Sequence, residues 1–160
     1  MKMKVYHTSD VIIQNPDIFH SRRYLDFGRG FYVTTIKEQA EKYSARIRVR
    51  GKQPVLNIYE LDVDVTAIKY KRFETYDGEW LDYVAACRDG KEVELYDIIE
   101  GGIANDKVFD TVDLYFSGRM SKDDALKKLA YTKPNWQICI ASQTVLVNSL
   151  KFISSENLMS

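Results

Sequence analysis

The chain is poor in the residues that build metal sites and disulfides. Its only cysteines are Cys87 and Cys139, and their spacing matches neither a zinc ligand pair nor a redox motif. We therefore expect two packed thiols in a reducing compartment, which predicts the cytoplasm. The only histidines are His7 and His20, and no carboxylate stands at metalloprotease spacing from them, so we expect no bound metal.

The chain also lacks a charge imbalance and a long apolar run. Lysine plus arginine equals aspartate plus glutamate at 23 each, so no overall field attracts nucleic acid or an anionic membrane, and an anion site must be local. No apolar run reaches membrane-spanning length, and the first ten residues turn polar too soon for a secretory signal. We therefore expect no membrane partner.

The composition that remains is typical of a globular protein. Hydrophobic residues make up 45% of the 160 positions and charged residues 29%, which is enough apolar surface for one core. Internal repeats, low-complexity segments and linkers are missing, so we expect a single domain over residues 1–160.

The hydrophobic periodicity predicts strands and helices that alternate irregularly, and the predicted fold class is therefore α+β. Strands are expected at 3–9, 30–35, 54–63 and 93–103, and residues 136–154 read as strand, polar break and strand. Helices are expected at 36–47, 76–90, 105–118 and 121–131, the last capped by Ser121. In the first helix we expect Thr35 as the N-cap, with Glu38 completing a capping box, and Tyr43 on the inward face.

Three stretches stand out for their order and spacing: VYHTS at 5–9, GRGFYVTTIKEQAEKY at 28–43 and NWQICIASQTVL at 135–146. Together they resemble the ADP-ribosyltransferase fold of the diphtheria-toxin and poly-ADP-ribose-polymerase branch. That branch carries a histidine on an early strand, a Gly-x-Gly-x-Tyr strand end with a second tyrosine eleven residues later, and a glutamate on a late strand. From about Tyr6 to Phe152 the chain also resembles a bacterial family catalogued as domain of unknown function 3990, which is placed near those transferases.

The resemblance implies a split, twisted sheet flanked by helices, with NAD as substrate in the cleft. His7 would bind the adenosine ribose, and Tyr32 and Tyr43 would hold the nicotinamide ring between them. Arg29, with its neighbours at positions 22 and 23, would meet the pyrophosphate. The implied cofactor-binding residues are His7, Thr8, Arg29, Gly30, Tyr32 and Tyr43.

The sequence departs from the family pattern at three positions. Gln137 stands where the late-strand glutamate is expected, Thr8 replaces a glycine, and Ala40 replaces a serine that helps to hold the nicotinamide amide. Gln137 can bind a ribose hydroxyl but offers no charge to the developing cation, a loss of about 3–4 kcal/mol by analogy with an oxyanion-hole donor. We assign the catalytic roles to Gln137 and to Asp106, which would polarise the acceptor, with Asp110 as an alternative carboxylate.

The expected activity is NAD-dependent mono-ADP-ribosyl transfer to an unidentified protein or nucleic acid. The resemblance also implies a toxin of a toxin–antitoxin or phage-defence pair, with a small antitoxin as partner. The alternative is a catalytically silent module that binds NAD, ADP-ribose or a protein. At the level of single residues, His7, Tyr32 and Tyr43 can each be ordinary core residues, and Gln137 an ordinary edge-strand amide.

Overall fold

The computed structural model of the chain describes residues 1–21, 25–104, 106–132 and 135–158. It contains two β-sheets with helices between and around their strands, so the predicted α+β class is confirmed. In chain order the elements are β1 (Lys2–Ser9), β2 (Phe31–Val33), α1 (Lys37–Lys42), α2 (Ser44–Val49), β3 (Val55–Asp62), a 3-10 helix (Val65–Ala67), β4 (Tyr70–Arg72), α3 (Gly78–Arg88), β5 (Ile98–Gly102), α4 (Asp106–Phe116), α5 (Lys122–Leu129), β6 (Trp136–Ile140), α6 (Gln143–Ser149) and β7 (Leu150–Asn157).

The strands form two separate sheets. The first has the order β1-β3-β7 and is antiparallel throughout, with an irregularity between Ile58 and Tyr59 of β3. The second has the order β2-β6-β5-β4, in which only β4 and β5 run parallel.

In the described part of the chain, one β-bridge joins the two sheets. Tyr6 of β1 and Thr34, just after β2, exchange two backbone hydrogen bonds of 2.8 and 3.0 Å. Beyond this pair the ladder does not continue, which leaves a split between the sheets on the side of His7 and Tyr32.

Strand alternation divides the core into two layers. Phe31, Ile138 and Ile140 face the first sheet and pack there with Val5 and Tyr59. The residues between them face the helices, where Cys139 packs in a second cluster. Gln137 and Tyr32 share this helix-covered face, because Tyr32 pairs with Cys139 in the β2–β6 register.

Several helix ends follow the local rules, and their bounds agree with the sequence. Asp77 caps α3 by accepting a hydrogen bond from Trp80 N at 2.9 Å, and Gly90 takes a positive φ of 71° just past its end. Ser121 caps α5 as predicted and accepts from Asp124 N at 3.1 Å. None of the helices within the described residues is long and apolar enough to cross a membrane.

Three local predictions were wrong. The helix expected at 36–47 begins at Lys37 and breaks at Tyr43, and its N-cap is Ile36 rather than Thr35, with no side-chain cap. The strand expected at 93–103 is limited to Ile98–Gly102.

The polar break expected inside 136–154 is the helix α6. Ser142 caps this helix by accepting from Val145 N at 3.3 Å, and the helix buries Leu146 and Ser149. This segment folded as a helix because the cap and the burial of one face outweighed β propensity.

Candidate active site

His7 lies at the split between the sheets. Its ring stacks on Phe31 with centroids 4.4 Å apart, and its Nδ1 lies 2.6 Å from the carbonyl oxygen of Tyr32. A carbonyl only accepts, so Nδ1 carries the proton. Burial lowers the pKa of His7, against a smaller opposing effect of this hydrogen bond, so the ring is neutral at pH 7. Within the described residues Nε2 has no hydrogen-bond partner, which makes it an acceptor for a ligand.

Tyr32 is held by the turn that precedes β2. Its hydroxyl donates to the carbonyl of Gly28 at 2.5 Å and accepts from Phe27 N at 3.0 Å, and its ring packs on the helix-covered face. Burial raises the pKa of Tyr32, so the hydroxyl stays protonated and can keep donating. Gly28 has φ 79°, a conformation that favours glycine at this turn. Tyr32 therefore forms a fixed wall rather than a mobile ring.

Gly30 is required by packing against β6. A Cβ there would come within 2.8 Å of the carbonyl oxygen of Ile140 and closer still to Cys139 Sγ. The close approach that Gly30 permits is therefore made to a neighbouring strand. The backbone carbonyl of Arg29 lies 3.9 Å from the same sulfur, and the described contacts place no ionic partner on its side chain.

Gln137 belongs to a buried polar network. Its Nε2 donates to Asp26 Oδ2 at 3.0 Å and lies 3.4 Å from the carbonyl of Gly102. The Asp26 carboxylate, only 5% exposed, also accepts from Ala104 N at 2.8 Å and from Arg88 Nε at 2.7 Å. This places a carboxylate next to Gln137, contributed by the turn before β2.

Asp26 and Arg88 are the site residues that the sequence analysis missed. Asp26 lies 111 positions from Gln137 and 62 from Arg88, so no local spacing links the three. The available signal was the position of Asp26 two residues before Gly28, where the stretch that resembles the ADP-ribosyltransferase motif begins. The Asp26 carboxylate is tolerated in the interior because Arg88 neutralises its charge and because it accepts hydrogen bonds from three residues.

Tyr43 lies at the break between α1 and α2 and does not point inward. The residue is 41% exposed, and the guanidinium of Arg46 lies 5.5 Å from its ring centroid. The prediction of an inward face was wrong although the backbone at Tyr43 is helical and its N–H donates to the carbonyl of Gln39 at 3.3 Å. Of the predicted face only Ala40 and Ile47 are buried, and Ile36 is exposed like Tyr43. The Tyr43 side chain is therefore partly accessible to solvent.

A cavity of about 510 Å³ lies next to Arg46, the residue that contacts the Tyr43 ring. Its lining residues are Arg46, Arg88, Ala104, Lys107, Phe109 and Asp110. Arg88 lies 4.3 Å above the Phe109 ring and also binds Asp26, so one side chain connects the cavity wall to the Gln137 network. Because Arg88 is paired with Asp26, the positive charge of this cavity comes from Arg46 and Lys107, against the one carboxylate of Asp110.

Only one of the two carboxylates that could polarise an acceptor, Asp110, can be located in the structure. Asp110 lines the cavity, whereas Asp106 begins α4 and its side chain lies outside what the structure describes. The arginines at 22 and 23 also lie outside the described residues.

Thr8 closes onto the helix that carries Ala40. Its hydroxyl donates to the carbonyl of Ala40 at 2.5 Å, and both residues are buried. Both are positions at which the sequence departs from the family pattern. In this chain they bind each other.

A second buried carboxylate lies on the opposite face of the sheet. Glu100 of β5 is 2% exposed and accepts from Arg72 at 2.8 Å, from Trp136 Nε1 at 2.9 Å and from the hydroxyl of Tyr70. Arg72 also lies 4.6 Å above the Trp136 ring. Its partners and its face separate Glu100 from Gln137, so we assign it a structural role.

A comparison with protein-family models gives a match to the family described as Protein of unknown function (DUF3990), over residues 3–152. Comparisons with curated proteins and with solved structures give no match. The matched region includes the whole second sheet, β3, the start of β7, nearly all of β1 and every residue of the network around Gln137. The chain therefore belongs to the DUF3990 family.

Proposed function

We propose that the chain is a NAD-dependent mono-ADP-ribosyltransferase with a fold of the ADP-ribosyltransferase type. The observation that carries the proposal is the split between the two sheets, where a neutral His7 presents Nε2 as an acceptor beside Tyr32. An uncharged nitrogen acceptor suits a ribose hydroxyl, and the residues expected for the nicotinamide half lie on β2, at the break between α1 and α2, and on β6.

The dinucleotide would contact three features of this region. The exposed ring of Tyr43 stacks on the pyridinium, a contact worth about 0.5–2 kcal/mol. Tyr32 would form the fixed wall on the other side of the nicotinamide ring. Arg46 and Lys107, both exposed and both lining the cavity, meet the pyrophosphate in place of Arg29.

The chemical step is a substitution at the anomeric carbon of the nicotinamide ribose. The bond to nicotinamide breaks, and its electron pair leaves with nicotinamide, which becomes neutral. An acceptor oxygen or nitrogen then bonds to that carbon, and its proton passes to a carboxylate, for which we propose Asp106, with Asp110 as the alternative. Gln137 orients the ribose without stabilising its positive charge, so we expect slow single transfer and no chain growth.

Radiolabelled NAD incubated with the purified chain and cell extract tests this function. Labelled macromolecule or released nicotinamide supports the transferase, and His7→Ala should abolish both. His20→Ala is the matched control, because His20 lies on the surface and pairs with Asp17. A wild-type chain that neither binds nor cleaves NAD refutes the proposal.

A second candidate function is a silent module that binds ADP-ribose. The contact between Thr8 and Ala40 favours it, because the threonine hydroxyl occupies hydrogen-bonding capacity that a nicotinamide amide would need. In this case ADP-ribose should bind more tightly than NAD by calorimetry, and Thr8→Gly should reduce the difference. Equal affinities in both proteins would exclude this reading of the contact.

The resemblance further implies a toxin restrained by a small antitoxin, and we propose this as the biological setting. Expression of the wild-type chain should arrest bacterial growth, and expression of His7→Ala should not. Co-expression of the neighbouring small reading frame should restore growth. Growth that is unaffected by active wild-type enzyme contradicts the toxin role while leaving the transferase activity intact.

A further inference from the structure

The orientation of the Gln137 side chain is fixed by its neighbours. Both partners of Nε2, the carboxylate of Asp26 and the carbonyl of Gly102, can only accept hydrogen bonds. The NH2 end must therefore face them. Reversing the amide would place its oxygen against Asp26 Oδ2 at 3.0 Å, where two acceptors repel.

The carboxylate that fixes Gln137 is itself fixed. Arg88 Nε holds one oxygen of Asp26 at 2.7 Å, and Ala104 N holds the other at 2.8 Å. The adjoining turn is anchored by the Tyr32 hydroxyl, which bonds Phe27 N and the carbonyl of Gly28. These contacts come from α3, β2 and the segment after β5, so the carboxylate is in place before any ligand arrives.

The fixed orientation leaves the amide oxygen of Gln137 available. Across the residues that the structure describes, Oε1 accepts no hydrogen bond. Every fully buried side-chain nitrogen or oxygen among the described residues has a hydrogen-bond partner. Because Oε1 of Gln137 has none, this atom retains some contact with solvent, although the residue is only 8% exposed. Gln137 thus offers its oxygen, not its NH2 group, to a ligand.

We propose that Asp26 is a positioning residue that holds Gln137 so that Oε1 accepts a ribose hydroxyl of the substrate. This inference rests on the proposed transferase function. It also explains why a neutral residue stands at position 137, since a glutamate there would face the carboxylate of Asp26. The pair retains one negative charge, located on Asp26 and balanced by Arg88.

Nuclear magnetic resonance of protein labelled with 15N-glutamine tests the orientation without any activity measurement. The Gln137 side-chain signal is assigned by its loss in Gln137→Leu. In the wild type, one amide proton should be shifted downfield and exchange slowly, because it binds a carboxylate. Asp26→Asn should remove that shift. Asp82→Asn, which neutralises a surface carboxylate bound by Lys122, should leave it unchanged.

Kinetics of NAD cleavage test the consequence. Asp26→Asn should lower kcat by about 10- to 100-fold with KM within about twofold, because a misplaced group costs the transition state more than binding. Asp26→Glu should recover part of kcat, and Asp82→Asn should match the wild type. If Asp26→Asn does not fold, Asp26→Glu and the wild-type spectrum decide the question.

The outcomes separate the two proposals. An unshifted wild-type Gln137 amide, or an unchanged kcat in folded Asp26→Asn, overturns the positioning role while NAD cleavage still stands. A wild-type chain without NAD binding or cleavage overturns the function and the ribose role together, even if the spectrum shows the amide bound to Asp26.

Discussion

Replacing Gln137 with glutamate introduces the residue that ADP-ribosyltransferases carry on the late strand, and we predict that it destabilises the protein. The new carboxylate oxygen would lie about 3 Å from Asp26 Oδ2, the distance now spanned by the amide hydrogen bond. Two unit charges at that separation repel by about 5 kcal/mol at an effective dielectric constant of about 20. Arg88 screens part of this, so we expect a net penalty of about 3 kcal/mol in unfolding free energy at pH 8.

The penalty should depend on pH in a defined direction. Repulsion and burial raise the pKa of the introduced carboxyl group in the folded state above its value of about 4.3 in the unfolded chain. At a pH well below about 4.3 the introduced carboxyl is protonated in both states and donates to Asp26 in the folded one, so the Gln137→Glu variant should approach wild-type stability. As pH rises from about 4 towards the raised folded pKa, the unfolded state loses its proton first, and the deficit grows and then levels off.

Urea unfolding of the wild type and Gln137→Glu from about pH 4 to about pH 8 measures this deficit. Gln137→Leu is the control, since it removes the same hydrogen bond without adding charge, and its deficit should not change with pH. A Gln137→Glu deficit that is constant across the range, or equal to that of Gln137→Leu throughout, would refute the placement of Asp26 beside Gln137.

Three further predictions follow from other contacts. Tyr43→Ala should weaken NAD binding about 3- to 30-fold by calorimetry, because the stacked ring is lost. Tyr43→Phe should bind NAD about as well as the wild type, and so should Tyr131→Ala, which changes a 94% exposed tyrosine. Equal effects of the two alanine variants would contradict the prediction. Gly30→Ala should lower the free energy of unfolding, measured in urea, by more than about 2 kcal/mol, because the added Cβ contacts β6. Gly28→Ala should lower it by only about 1 kcal/mol, the cost of a positive φ. The reverse order would disprove the packing account of Gly30. Burial raises the pKa of the Cys139 thiol to about 12, so it stays protonated at pH 8, and mass spectrometry should find no iodoacetamide adduct there until the protein is unfolded; rapid labelling of native protein would count against this burial.

The sequence was sufficient for features that depend on neighbours along the chain. The alternation in β1, the capped helix α3 and the Ser121 cap of α5 each depend on contacts within a few residues. Secondary-structure propensity was insufficient where tertiary contacts determine which element forms. The segment 143–149 became a helix by burying Leu146, and the helix after β2 broke at Tyr43.

The site was predictable only in part for the same reason. The order of His7, Tyr32 and Gln137 along the chain indicated their strands, and the family match spans all three positions. The partners of Gln137 were not predictable, because Asp26 and Arg88 reach it from distant segments and through side chains with no periodic signature. Nor does any spacing rule reveal that Thr8 bonds to Ala40.

The imidazole of His7 lies where a second backbone bridge between β1 and β2 would otherwise form. After the Tyr6–Thr34 bridge, the next backbone pair in an antiparallel arrangement would join Thr8 to Tyr32, but the carbonyl of Tyr32 is taken by the His7 ring. The His7 side chain thus occupies the backbone acceptor that a further bridge between the two sheets would use. A substitution that removes the ring nitrogen would return that acceptor to the amide of Thr8.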